Sequence, residues 1–227
     1  MGDWIGWLAI LAGGMAVTFQ LTVATVVLTI AWSTIVAVSS VSPWRPLRVA
    51  TRLYVDLFRS IPTLALLLFT YYGLGKYIAH LDVPTLALPV IGLTLAESAN
   101  LSEIYRAGLE AIPKAQHDAA ASLGLGWLRT IGLVILPQAL VASIPATVNM
   151  VIFTIKDSSL ASLIATPEVT GTASLLVSEV FQPLPVYILL ALLYIAVIVP
   201  LTVVATPLEA FLDHRFGNVA AATRMGR

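Results

Sequence analysis

Residues Asp118–Pro137 read DAAASLGLGWLRTIGLVILP, and they lie between two hydrophobic stretches. Just upstream, Pro113 can take the first position of a short helix. Asp118 is then a polar handle on that helix, flanked by Ala119, Ala120 and Ala121. Small side chains let the walls of a partner approach the backbone closely. Gly124 and Gly126 supply the left-handed end that breaks the helix. From Trp127 a second helix leads into the next apolar stretch. A short rigid helix held across a turn in this way suits docking and the transmission of motion, not catalysis or membrane crossing.

The rest of the chain belongs in a bilayer. Of its 227 residues 59% are hydrophobic and 11% charged, with a mean hydropathy of +0.94. Soluble domains are nearer half apolar and a quarter charged. Positions 4–44, 60–75, 83–96, 130–155 and 180–208 carry no charge. A helix needs roughly 20 apolar residues to cross the hydrocarbon core. The expected architecture is an all-α polytopic integral membrane protein, one transmembrane domain over 1–227, with five transmembrane helices. These are placed at about 14–41, 60–80, 84–106, 134–156 and 184–208, with a cytoplasmic loop at about 107–133. Trp4–Leu11 is expected at the outer interface as a lead-in, and the start of the chain lacks the basic region of a signal peptide.

Charge sets the orientation. With the N-terminus outside, the inner face receives Arg45, Arg48, Arg52, Arg59, Arg106, Lys114, Arg129, Arg215, Arg224 and Arg227. The outer face receives Lys76 and Lys156. That asymmetry puts the C-terminus in the cytoplasm. The net charge of zero argues against nucleic-acid binding. Arg45, Arg48 and Arg52 share a face and suit an amphipathic stretch on an anionic inner leaflet. Pro43 and Pro46 end the first helix, Pro62 opens the second span, and Tyr71-Tyr72-Gly73-Leu74-Gly75 closes it with aromatic rings and helix-stopping glycines.

Polar groups inside the apolar stretches are the candidates for function. Glu97 falls near mid-bilayer, where an ionisable group faces a cavity or a partner. Asn100, three residues on, shares its face. The two are read as lining a substrate cavity for an α-amino or cationic group. The alternative is a protonated Glu97 hydrogen-bonded between helices. Glu103 and Arg106 read as a structural ion pair at the inner end of the third span. Lys156-Asp157-Ser158 interrupts an apolar run, which suits a broken helix beside the translocation path. The alternative there is an outer-surface loop, with Pro167-Glu168 opening the outer connection. His80, His117 and His214 are scattered without metal-ligand spacing, no cysteine is present and no phosphate-binding loop occurs.

The loop resembles the EAA loop of ABC importer permeases: Glu-Ala-Ala, three residues, Gly, nine residues, Ile-x-Leu-Pro. Asp118, Ala119, Ala120, Gly124, Val134, Leu136 and Pro137 fall on it, with Asp118 for Glu and Val134 for Ile. Phe58-Arg59-Ser60-Ile61-Pro62-Thr63, Ser102-Glu103-Ile104-Tyr105-Arg106-Ala107-Gly108, Ile112-Pro113-Lys114-Ala115-Gln116 and Lys156-Asp157-Ser158-Ser159-Leu160 are similar to motifs of the polar amino-acid branch, the histidine/glutamine/arginine permeases. The resemblance implies a type I (MetI-like) importer permease in the bacterial cytoplasmic membrane. It implies no enzyme activity and no cofactor in this chain, with ATP and Mg held by a separate ATPase dimer docked on Asp118, Ala119, Ala120, Gly124 and Pro137. It further implies a second permease chain, identical or paralogous, an extracytoplasmic binding protein and a polar amino-acid substrate. Three rivals remain: an ABC permease for another small zwitterion such as an opine or compatible solute, an ion-coupled secondary transporter, and a non-transporting assembly or channel subunit.

Overall fold

The computed structural model describes residues 3–78, 84 and 86–212, without the side chains of 76, 78 and 208–212. His80, His214, Arg215, Arg224 and Arg227 lie outside the described residues. Every regular element described is helical: α1 (Trp4–Ser40), α2 (Arg45–Ser60), α3 (Thr63–Leu68), α4 (Gly75–Ile78), α5 (Ala87–Ala111), α6 (Lys114–Ser122), α7 (Trp127–Thr130), α8 (Leu136–Ala142), α9 (Ile144–Asp157), α10 (Val169–Val180) and α11 (Pro183–Leu212). Wider π turns join α3 to α4 and α7 to α8, and a 3₁₀ turn, Ser158–Ile164, follows α9. These helices contribute to two compact units.

The first unit comprises Met1–Leu28, Ile61–Glu97 and Val151–Thr202. One apolar cluster joins Trp7, Leu11 and Met15 of α1 to Val169 and Ala173 of α10 and Val186 of α11. A second joins Leu21, Leu67, Val90, Leu93, Ala161 and Ile164. Close approach of α1 to α10 depends on Gly14. A Cβ there would lie 2.9 Å from the Cα of Val169 and 2.5 Å from Thr172 Oγ1. The first turn of α10 is closed by polar side chains. The main-chain N–H of Val169 donates to Thr18 Oγ1 at 3.1 Å. Those of Thr170 and Gly171 donate to the buried Glu168 carboxylate at 2.9 and 2.6 Å. These bonds satisfy donors that a helix start leaves without internal partners.

Gly14 yields a paired test. Gly14→Ala is expected to cost ~1–3 kcal/mol through overpacking. Gly13→Ala, whose Cβ would meet nothing within 4 Å, is expected to cost nothing. The apparent melting point of the two variants in detergent checks this; equal behaviour contradicts the α1–α10 packing.

The second unit comprises Thr29–Ser60, Ser98–Met150 and Val203–Arg227. Here α1, α2 and α5 are tied by hydroxyls. Ser33 Oγ donates to the Ser98 carbonyl at 3.2 Å, and Tyr54 Oη lies 2.7 Å from Ser98 Oγ. Tyr105 Oη meets Thr147 Oγ1 at 3.0 Å, linking α5 to α9. At the α8–α9 break, Ser143 Oγ donates to the Ala139 carbonyl and Thr147 Oγ1 to that of Ser143. Such back-bonding favours a bend, and Pro145 removes a further main-chain donor.

Several expectations need correction. Trp4–Leu11 is no separate lead-in: α1 is continuous, and Trp7 and Leu11 are buried. Gly73 and Gly75 do not stop their helix, because both take helical conformations through the π turn. Pro113 and Pro62 precede their helices as extended residues instead of occupying the first turn. The Lys156–Ser159 interruption is a tightening into a 3₁₀ turn, so helical bonding continues through it. The stretch expected as an outer connection contains a helix, α10, that its Thr and Ser content concealed.

The span count is also coarser than five. Among the described residues two helices, Trp4–Ser40 and Pro183–Pro207, are long and apolar enough to cross a membrane. The number rises to four if the bent pairs Arg45–Ser60 with Thr63–Leu74 and Trp127–Ala142 with Ile144–Ile164 each count as one. Charge-free runs locate apolar sequence but not the breaks at Ser60–Pro62 and Ser143. The helix expected over 84–106 runs from Ala87 to Ala111 and carries Glu97, Glu103, Arg106 and Glu110.

Candidate functional sites

The docking segment lies wholly within the second unit. Helix α6 has nine residues and ends at Leu123. Gly124 follows with φ of +74°, and its N–H donates to the Ala121 carbonyl at 2.9 Å. The left-handed reading therefore holds for Gly124 and fails for Gly126, which is extended at φ −70° ahead of α7. Asp118 and Ala119 are exposed on α6, whereas Ala120 is buried and packs inward. Pro137 is exposed in the first turn of α8. Leu123 and Leu128, 79% and 71% exposed, stand on either side of the turn. Sequence reading passed over them because leucines in an apolar chain carry no signal until their exposure is known.

Glu97 is 8% exposed. Its Oε2 accepts a hydrogen bond of 2.6 Å from Thr154 Oγ1 of α9, and Oε1 has no hydrogen-bond partner among the described residues. Asp157 lies close enough to act on Glu97 electrostatically. Asn100, three residues on, is exposed. Ser158 is buried, with Oγ donating to the Ile155 carbonyl at 2.7 Å. Lys156 is exposed, with its ammonium 5.6 Å from the centre of the Phe153 ring. Thr154 carries no functional signal in the sequence, because a lone hydroxyl in an apolar helix reads as packing.

Arg106 is held on both sides. It forms a forked pair with Glu103 (Nε to Oε1 3.0 Å, Nη2 to Oε2 2.8 Å) and reaches Glu110 at 2.8 Å. Glu110 is a third member that the pair in sequence did not include. All three are partly exposed, so the cluster contributes little stability. Among the described residues no group of His, Asp and Glu could hold a metal ion.

A short helix with small exposed side chains, a left-handed glycine and a second helix leading back into apolar sequence make up this segment of a helical, strongly apolar chain. The chain belongs to the family of binding-protein-dependent transport system inner membrane components, whose sequence model matches residues 29–218. It is 37% identical over 158 residues to the probable glutamine ABC transporter permease protein GlnP of Bacillus subtilis, covering 68% of this chain and 72% of that one. It is 31% identical over 182 residues to the glutamate/aspartate import permease protein GltK of Escherichia coli, covering 76% and 81%. Among solved structures, an amino acid ABC transporter crystallised with histidines superposes with a TM-score of 0.80 at 26% identity, covering 92% of this chain and 99% of that one. The MetNI methionine ABC transporter in an inward-facing form shares the fold, with a TM-score of 0.70 at 16% identity and coverage of 93% and 99%. The MetI-like permease fold expected from the motifs is thereby established.

Proposed function

We propose that this chain is the permease subunit of an ATP-driven importer that carries polar amino acids across the bacterial cytoplasmic membrane by alternating access. The observation that carries the reading is the α6–Gly124–α7 segment, present in a chain whose relatives are amino-acid permeases. In this reading an ATPase dimer, which binds the ATP and Mg, grips α6 through Asp118, Ala119 and the turn at Gly124. Leu123 and Leu128 enter its surface. A second permease chain completes the pathway, and an extracytoplasmic binding protein delivers the amino acid. Five spans with the N-terminus outside fit the distribution of basic residues. ATP binding then shifts the population between two access states.

Glu97 supports a polar solute. Buried polar atoms are nearly always hydrogen-bonded, yet Glu97 Oε1 and the hydroxyls of Thr22, Thr25 and Thr94 in the same unit have no hydrogen-bond partner among the described residues. A carboxylate oxygen directed away from its one protein donor suits an ammonium group. Lys156, Asp157 and Ser158 lie in the same unit, and Asp157 adds a second negative charge toward it.

Uptake of a panel of labelled polar amino acids in cells expressing the complete transporter, with and without ATP depletion, tests the function. Saturable uptake that stops on depletion is expected. Uptake that follows an ion gradient instead would overturn the ABC mechanism, and ATP-dependent uptake confined to other zwitterions would overturn the substrate class.

A further inference from the structure

Helix α2 carries three distinct faces. Thr51 and Val55 are buried. Val49, Leu53 and Leu57, four residues apart, form an exposed apolar stripe at 50%, 65% and 56% exposure. Between them run Arg45, Arg52 and Arg59, seven residues apart and so nearly in line along the helix. Behind this arginine edge, within the second unit, is a cavity of about 290 Å³ lined by residues that include Ser40, Arg48, Thr51, Arg52, Asp56 and Glu110.

The charges around the cavity are unequally committed. Arg106 is occupied by Glu103 and Glu110. Arg48 spends Nη1 on the carbonyls of Ser42 and Pro43, at 2.6 and 2.9 Å. Arg52 has no hydrogen-bond or ion-pair partner among the described residues. Asp56 is the one acidic side chain of α2 itself, while Glu103, which also lines the cavity, acts electrostatically on Arg52 and Arg59. Taken with Arg45 and Arg59 at the edge, five arginines face three carboxylates, Asp56, Glu103 and Glu110.

The geometry points to a binding site for an anionic phospholipid: its phosphate on Arg52 at the mouth of the cavity, its acyl chains along Val49, Leu53 and Leu57. A guanidinium offers a phosphate two parallel donors. The adjoining apolar stripe supplies what a free phosphate could not use. An amphipathic helix with basic residues beside its apolar face is built to lie at an anionic surface. The proposal does not depend on which amino acid is carried.

The complete transporter, reconstituted in nanodiscs of equal parts phosphatidylglycerol and phosphatidylcholine and released for native mass spectrometry, tests it. Retention of phosphatidylglycerol is expected to exceed that of phosphatidylcholine by about tenfold. The preference should fall towards unity in Arg52→Gln and rise in Asp56→Asn. Equal retention of the two lipids by the unaltered transporter would overturn the site, as would an undiminished preference in a folded Arg52→Gln protein. Release of the lipid by inorganic phosphate would also overturn it, since the apolar contact would then be idle. A disulfide between two permease chains at Leu53→Cys in the intact complex would show that a second copy covers the stripe instead.

Discussion

Replacing Gly124 by glutamate is expected to reduce ATP-dependent uptake at least about 100-fold while the chain still reaches the membrane. Gly124 sits at φ +74°, and a Cβ there would meet nothing within 4 Å in this chain. Inside the protein the substitution therefore costs only the left-handed backbone conformation, roughly 1–2 kcal/mol for a residue with a Cβ. That is too little to unfold a subunit whose stability is spread over many helices. A loss of about 100-fold corresponds to roughly 2.7 kcal/mol of barrier, more than the backbone alone supplies. The excess must come from what the turn touches in the assembly. Gly124→Ala separates the two contributions, since it adds the backbone strain without bulk or charge. It should keep most of the uptake, and the glutamate variant should also lose co-purification of the ATPase. Full uptake by the glutamate variant would remove α6 from the coupling mechanism.

The second large effect is expected at Glu97. Exchanging it for glutamine keeps the shape and leaves an oxygen to accept the 2.6 Å hydrogen bond from Thr154, so assembly should survive. What disappears is the negative charge. A hydrogen bond to a charged group is worth about 1.5–3 kcal/mol, which predicts roughly a 10- to 150-fold fall in uptake efficiency for cationic amino acids. Neutral polar amino acids should change only a few-fold. Thr154→Val is the control for a purely structural role, because it removes the interhelical donor and leaves the carboxylate. It should lower stability while preserving the order of substrates. If Glu97→Gln leaves every uptake rate unchanged and Thr154→Val behaves the same way, the pair only fastens α5 to α9.

Much of the docking segment was legible because its signals are local. A proline ahead of a helix, small residues within it and a glycine after it act through their own backbone preferences, and α6 and Gly124 follow from them. Gly126 shows the limit: the same residue type one step beyond its neighbour takes an extended conformation, because one left-handed residue already completes the turn. The span reading was weaker. It depended on uncharged runs, and these do not register a serine that bonds back to its own helix at Ser143 or a buried glutamate that caps α10.

The amino-acid sequence by itself determined that this is a helical membrane protein and that a short helix ending in a glycine turn lies between Asp118 and Pro137. Those properties depend on composition and on residues within a few positions of one another. Tertiary structure alone decided that Glu97 meets Thr154, 57 residues away. It also decided that Gly14 admits α10 and that Arg52 lies beside a cavity with no hydrogen-bond or ion-pair partner among the described residues. Each depends on which helix face meets which neighbour. That choice is made by packing many side chains at once, and no short stretch of sequence records it.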